Sequence, residues 1–171
     1  MAVLNVNPTR MELTRLKKQL STALRGHKLL KDKRDELMRQ FLDMIRETKT
    51  LREEVEKGLK SVNNDFVLAS SVMSKEELDT ALLAPKQEVY LEASTRNVMS
   101  VDIPVYSFKT RTSEQSDIFS YGFASTSFEL DDAVSGLSDL LPKMLKLAEM
   151  EKSVKLMADE IEKTRRRVNA L

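Results

Sequence analysis

Few residues in this chain have the types and spacing that chemistry needs. Asp32 and Glu36 stand four apart, which on a helix places two carboxylates on one face, as a general acid–base pair would require. They lie among Lys28, Lys31, Lys33 and Arg34, so intrahelical salt bridges account for them better than catalysis does. The one histidine, His27, would need several further ligands to hold a transition metal. Cysteine is absent, which excludes a disulfide framework and thiol chemistry. Gly26, Gly58, Gly122 and Gly136 stand too far apart to form a phosphate-cradling loop. No catalytic residue, metal or cofactor is expected. What remains is positive charge. From Arg10 to Arg34 there are nine lysines and arginines against two acids, Glu12 and Asp32, and Arg165-Arg166-Arg167 form a second cluster. Such segments meet an acidic protein surface or a polyanion, or they simply solvate a helix face.

The elements that position these charges follow from the composition. Charged residues make up 32% of the 171, aromatics only 5%, and four glycines are too few for a loop-rich fold, so long helices are expected. The first runs over about 8–62. Asn7-Pro8 opens it, and Thr9-x-x-Glu12 supplies a capping box. Its apolar seam recurs every three and four residues: Leu13, Leu16, Leu20, Ala23, His27, Leu30, Arg34, Leu37, Phe41, Met44, Thr48, Leu51, Val55, Gly58, Val62. Eleven of these fifteen positions are apolar, where a 41% composition would give about six, so the repeat is a coiled-coil seam. Polar His27 and Arg34 at seam positions would set register and partner. A helix of this length spans roughly 80 Å, which predicts an elongated shape.

The second long helix covers 128–171 and opens on Thr126-x-x-Glu129. Its seam includes Leu147, Val154, Ile161, Thr164 and Val168. A stammer at 141–150 coincides with Pro142, which predicts a bend or twist irregularity near 141–147. The middle, 63–127, loses the repeat. It reads as a short helix at 75–84 opened by Ser74-x-x-Glu77, a β-hairpin at about 88–106 turning within Ser94–Asn97, and a Ser/Thr-rich loop from Ser107 to Ser127. Pro104 places the second strand on an edge.

The predicted fold is all-α: a single elongated domain made of a long antiparallel two-helix coiled coil with a small middle insert of one short helix and a β-hairpin. With Val62 set level with Leu130, the second helix ends level with about residue 21. Leu13, Leu16 and Leu20 are then left without a partner from this chain, at about 1.5–3 kcal/mol each. The expectation is that another protein covers them, or that the chain is shortened at its C-terminal end. No signal peptide or membrane-length apolar run is present. A cytoplasmic protein without membrane insertion is expected.

Three stretches carry a resemblance: Asn5-Val6-Asn7-Pro8-Thr9-Arg10-Met11-Glu12-Leu13, then Leu24-Arg25-Gly26-His27-Lys28-Leu29-Leu30-Lys31-Asp32-Lys33, and Glu162-Lys163-Thr164-Arg165-Arg166-Arg167-Val168-Asn169-Ala170-Leu171. Together with Leu140 to Ala148, they resemble the D subunit family of V-type (A/V-type) rotary ATPases, in its bacterial form. The resemblance implies a central rotor shaft, or central stalk, whose two long helices wind together inside a hexamer of catalytic A and B subunits. It places the middle segment near the small F subunit and a membrane-side socket subunit. ATP hydrolysis or synthesis at A–B interfaces would be coupled through the shaft to translocation of H+ or Na+. The shaft itself would be non-catalytic, cytoplasmic and peripheral to the membrane. Lys17, Lys18, Arg25, Arg165, Arg166 and Arg167 would face the hexamer. The seam proper would be Leu13, Leu16, Leu20, Leu30, Leu37, Phe41, Leu51, Leu147, Val154, Ile161 and Val168. The family continues well beyond the Asn-Ala-Leu end. Two other readings stand beside it: a generic antiparallel coiled-coil tether or adaptor, and a basic helical hairpin binding nucleic acid. The basic segment has no aromatic residue before Phe41, which speaks against base stacking.

Overall fold

A capped first turn starts the chain's longest element. The computed structural model describes residues 7–112, 114–122 and 126–170. The Thr9 hydroxyl accepts the Glu12 N–H at 3.3 Å, and α1 then runs from Arg10 to Val72. It does not stop near Val62, where the repeat ends. Loss of a heptad does not by itself break a helix, and no proline or further glycine lies between Gly58 and Pro85 to weaken it. The extra turns are also packed, since Ala69 is fully buried in a cluster with Met73, Ala81 and Leu130.

α2 spans Lys75–Leu82 and carries both halves of its predicted capping box. The Glu77 N–H donates to Ser74 Oγ, and the Ser74 N–H donates to a Glu77 carboxylate oxygen. Strands β1 (Val89–Val98) and β2 (Val101–Thr110) pair antiparallel as a two-stranded sheet. The turn lies at Met99–Ser100, not within Ser94–Asn97. Both turn residues have left-handed φ, 52° and 71°, as a two-residue primed turn demands. Neither is glycine, so the usual signal is missing. Asn97 supplies the support instead: its side-chain oxygen accepts the Ser100 N–H at 3.1 Å, and its amide donates to Asp102 at 2.6 Å. Pro104 sits opposite Thr95 in a sheet where both strands are edges.

The expected 107–127 loop is shorter than predicted, because β2 extends to Thr110 and a 3₁₀ turn occupies Gln115–Ile118. The Phe123–Ser125 part of that expectation, and Asn5, Val6 and Leu171 of the resembling stretches, lie outside the described residues. α3 spans Phe128–Ala170 as one element, with Pro142 inside it. Its predicted Thr126 cap is not made: the Thr126 hydroxyl donates to the Gly122 carbonyl at 3.2 Å, and the Leu130 N–H reaches the Ser127 carbonyl. Among the described residues the structure is mostly helical, 74%, with three helices and one small sheet, so the strict all-α class is too narrow.

Two compact units are present: Met1–Leu42 with Met157–Leu171, and Asp43–Leu156. In the second unit α1 and α3 run antiparallel. Arg52 pairs with Glu151 at 3.5 Å and Lys143 with Glu54 at 3.8 Å. A Cβ built on Gly58 would meet Leu140 at 2.5 Å, and one on Gly136 would meet Val62 at 2.9 Å. Val62 thus faces Gly136 rather than Leu130. The continued α1 takes Leu130 into the Ala69–Met73–Ala81 cluster and shifts the alignment. In the first unit, Leu37 of α1 and Met157, Ile161, Thr164 and Val168 of α3 are buried.

Candidate partner interface

In the first unit, α1 and α3 each present basic side chains to solvent. Lys17, Lys18 and Arg25 are exposed on α1, and Arg165, Arg166 and Arg167 are exposed on α3. Two of the six are engaged locally. Arg25 donates to the Ser21 carbonyl and hydroxyl one turn back, and Arg166 pairs with Glu162. Lys17, Lys18, Arg165 and Arg167 form no ion pair among the described residues. Beside Lys17 lies an apolar groove of about 500 Å³ lined by Leu13, Leu16, Leu20 and Ala23. Leu13 is 53% exposed and Leu20 60%. An apolar floor with a lysine at its edge suits protein binding, with charge steering the encounter and apolar area holding it.

The seam residues separate by coverage. Leu37, Ile161 and Val168 are buried; Leu16, Leu30, Phe41, Leu51, Leu147 and Val154 are half-buried; Leu13 and Leu20 are open. His27, also a seam position, is exposed, so the chain itself gives it no partner to select. Arg34 turns to its neighbour Asp35. Among the described residues, a charge pair that does link the helices in this unit is Lys33–Glu160, 3.2 Å and largely shielded from water. Sequence spacing does not reveal it, because its members are far apart in the chain.

The carboxylate pair has no acid–base geometry. Glu36 accepts from Arg39 at 2.7 and 3.0 Å and from Gln40 at 2.8 Å. The Arg39 hydrogen bond, then that of Gln40, holds its carboxyl below the usual range. Asp32 is exposed. Among the described residues no cluster could hold a metal ion, and no helix is long and apolar enough to cross a membrane. A second recess of about 510 Å³, in the second unit, is lined by hydroxyls and acids including Ser74, Glu77, Thr80 and Tyr121. Burial, and then the carboxylate of Asp131 that its hydroxyl donates to, pushes the Tyr121 phenol up, which makes it a poor acid at neutral pH. The Ser74 hydroxyl there donates to the Glu77 carboxylate at 2.8 Å as part of the α2 capping box.

The family of ATP synthase D subunits matches residues 12–171. The chain belongs to that family. It is similar to the V-type ATP synthase D subunit of Acetivibrio thermocellus, with 63% identity over the whole of this chain and 77% of that protein. The V-type ATP synthase D subunit of Clostridioides difficile is 61% identical over the same shares. That of Clostridium novyi is 56% identical, over the whole of this chain and 80% of its own length. Membership of the D subunit family makes this chain a component of a rotary ATPase complex. A component of a multisubunit complex needs a partner-binding surface. The exposed arginines and the open leucine groove are its candidate elements.

Proposed function

We propose that this chain is the non-catalytic central rotor shaft of a V-type ATPase. Its helices α1 and α3 wind as an antiparallel coiled coil, and the segment between them forms an insert. The shaft couples ATP hydrolysis or synthesis in a ring of A and B subunits to movement of H+ or Na+ across the membrane. It works in the cytoplasm, peripheral to the membrane, with the F subunit and a membrane-side socket subunit as further partners. The observation that carries this reading is the open Leu13–Leu20 groove beside exposed cations, in a chain of the D subunit family. A shaft turning within a ring needs contacts that attract without sticking. Exposed lysines and arginines facing acidic loops provide that, because such contacts are weak individually and screened by salt.

The test is reconstitution with A, B and F subunits, followed by an ATPase assay at rising salt. Neutralising Lys17, Lys18, Arg165, Arg166 and Arg167 together should reduce coupled turnover several-fold at low salt and flatten its salt dependence. Unchanged turnover and assembly in that variant would remove these residues from the interface.

A further inference from the structure

The hairpin is tied to α3 through a contact that the rotary reading does not use. Val98 and Val101 flank the two-residue turn, so they form a hydrogen-bonded pair, and pairs alternate from there along the sheet. Tyr106, opposite Ala93, therefore falls in a non-hydrogen-bonded pair, with its N–H pointing off the outer edge of β2. That N–H donates to Glu149 Oε2 on α3 at 2.8 Å. The other oxygen of the same carboxylate accepts from Lys146 at 2.7 Å. Glu149 is a shielded acid, its side chain 14% exposed. Two residues before Tyr106 on the same edge stands Pro104, which has no N–H to offer, so Tyr106 provides the mid-strand donor. The root of the hairpin is held separately. The Gln87 side-chain amide bonds both ways with Thr112, and the Arg111 N–H reaches the Glu88 carbonyl at 2.9 Å. Asp117, nearly buried, pairs with Lys86.

We propose that the Glu149 carboxylate is a clasp for the middle of the β1–β2 hairpin, making the hairpin an arm with a fixed root and a releasable middle. The clasp stands or falls independently of the rotor assignment. Its chemistry is a backbone amide held by an ionised carboxylate, a charge-assisted hydrogen bond stronger than a neutral one. The charged groups facing Glu149 are Lys146 on α3 and Arg96 on β1. Burial works to raise its carboxyl, but the Lys146 hydrogen bond, the Tyr106 N–H and the two positive charges outweigh it and hold the group below its ordinary 4.5. A carboxylate held low contributes fully above its ordinary value and is lost as pH falls through the lowered one. Acid should therefore open the clasp, while the Gln87–Thr112 and Arg111–Glu88 hydrogen bonds of the root, which do not titrate, stay closed even as the Asp117–Lys86 pair weakens.

Amide hydrogen exchange and NMR on the full chain test this. In Glu149→Ala the Tyr106 amide should exchange about 10- to 100-fold faster at neutral pH, with the Arg111 amide at the root unchanged. In the unaltered protein the Tyr106 amide resonance should titrate with a midpoint below 4.5, and in Glu149→Gln that titration should vanish. A Tyr106 amide that is unprotected in the unaltered chain, or one whose resonance is insensitive to pH, overturns the proposal. Loss of protection at Tyr106 and Arg111 together would also overturn it, since the hairpin would then open as one piece.

Discussion

Leu37→Ala should lower the stability of the chain by about 2–5 kcal/mol, whereas Leu20→Ala should cost under about 1 kcal/mol. The two leucines both belong to the same heptad seam, so spacing alone assigns them the same worth. The structure separates them. Leu37 is completely buried, and its truncation leaves a cavity whose lining loses its contacts. Leu20 is 60% exposed, so its removal takes little apolar area out of contact. The order should reverse in the assembly. If a partner covers the Leu13–Leu20 groove, Leu20→Ala weakens binding to A and B subunits while leaving the free chain near its original urea midpoint. Equal midpoints for the two variants would contradict the burial argument, and equal binding would contradict the interface.

The second large effect lies at the glycines. Gly136→Val should destabilise by about 1–3 kcal/mol, and Gly58→Leu by a similar amount, while Gly26→Ala should stabilise by up to about 1 kcal/mol. All three lie inside helices, where glycine costs about 1 kcal/mol relative to alanine, so their effects on helix propensity are alike. What differs is the space around each. A Cβ at Gly136 meets Val62 Cγ2 at 2.9 Å, and a β-branched valine in a helix has one strongly preferred rotamer, so it cannot swing clear. A Cβ at Gly58 meets both methyls and the Cγ of Leu140, between 2.5 and 3.2 Å, so that whole side chain must move. A Cβ at Gly26 meets nothing within 4 Å. Thermal unfolding of the three variants reads the signs directly. A Gly136→Val protein as stable as the parent would mean that α1 and α3 do not approach closely there.

These glycines show where sequence reading stops. Their separation along the chain argues against a phosphate loop, but it says nothing of Gly58 facing Leu140 or Gly136 facing Val62 on the opposite helix. The long helices, α2 and the hairpin were legible because their signals are local. Thr9 with Glu12 and Ser74 with Glu77 form caps within one turn, and Val101 and Ile103 alternate as strand residues do. The features missed were set by distant partners or by ordinary residues in unusual geometry. The end of α1 depends on Ala69 finding Leu130. The turn uses Met99 and Ser100 at positive φ without glycine, and the Thr126 hydroxyl donates to the Gly122 carbonyl instead of capping α3. Of the candidate interface, the exposed cations and unpartnered leucines could be read from the heptad count. The Lys33–Glu160 pair and the Glu149–Tyr106 contact could not, because each joins residues more than forty positions apart.

The proposed rotation of this chain inside a ring of A and B subunits has a direct test. A and B hexamers assembled with this chain and the F subunit are immobilised, a bead or gold particle is attached to this chain, and ATP is added. The particle should rotate in one direction and stop when ATP is exhausted. A particle that stays fixed on this chain while the same assemblies hydrolyse ATP would contradict the rotor assignment.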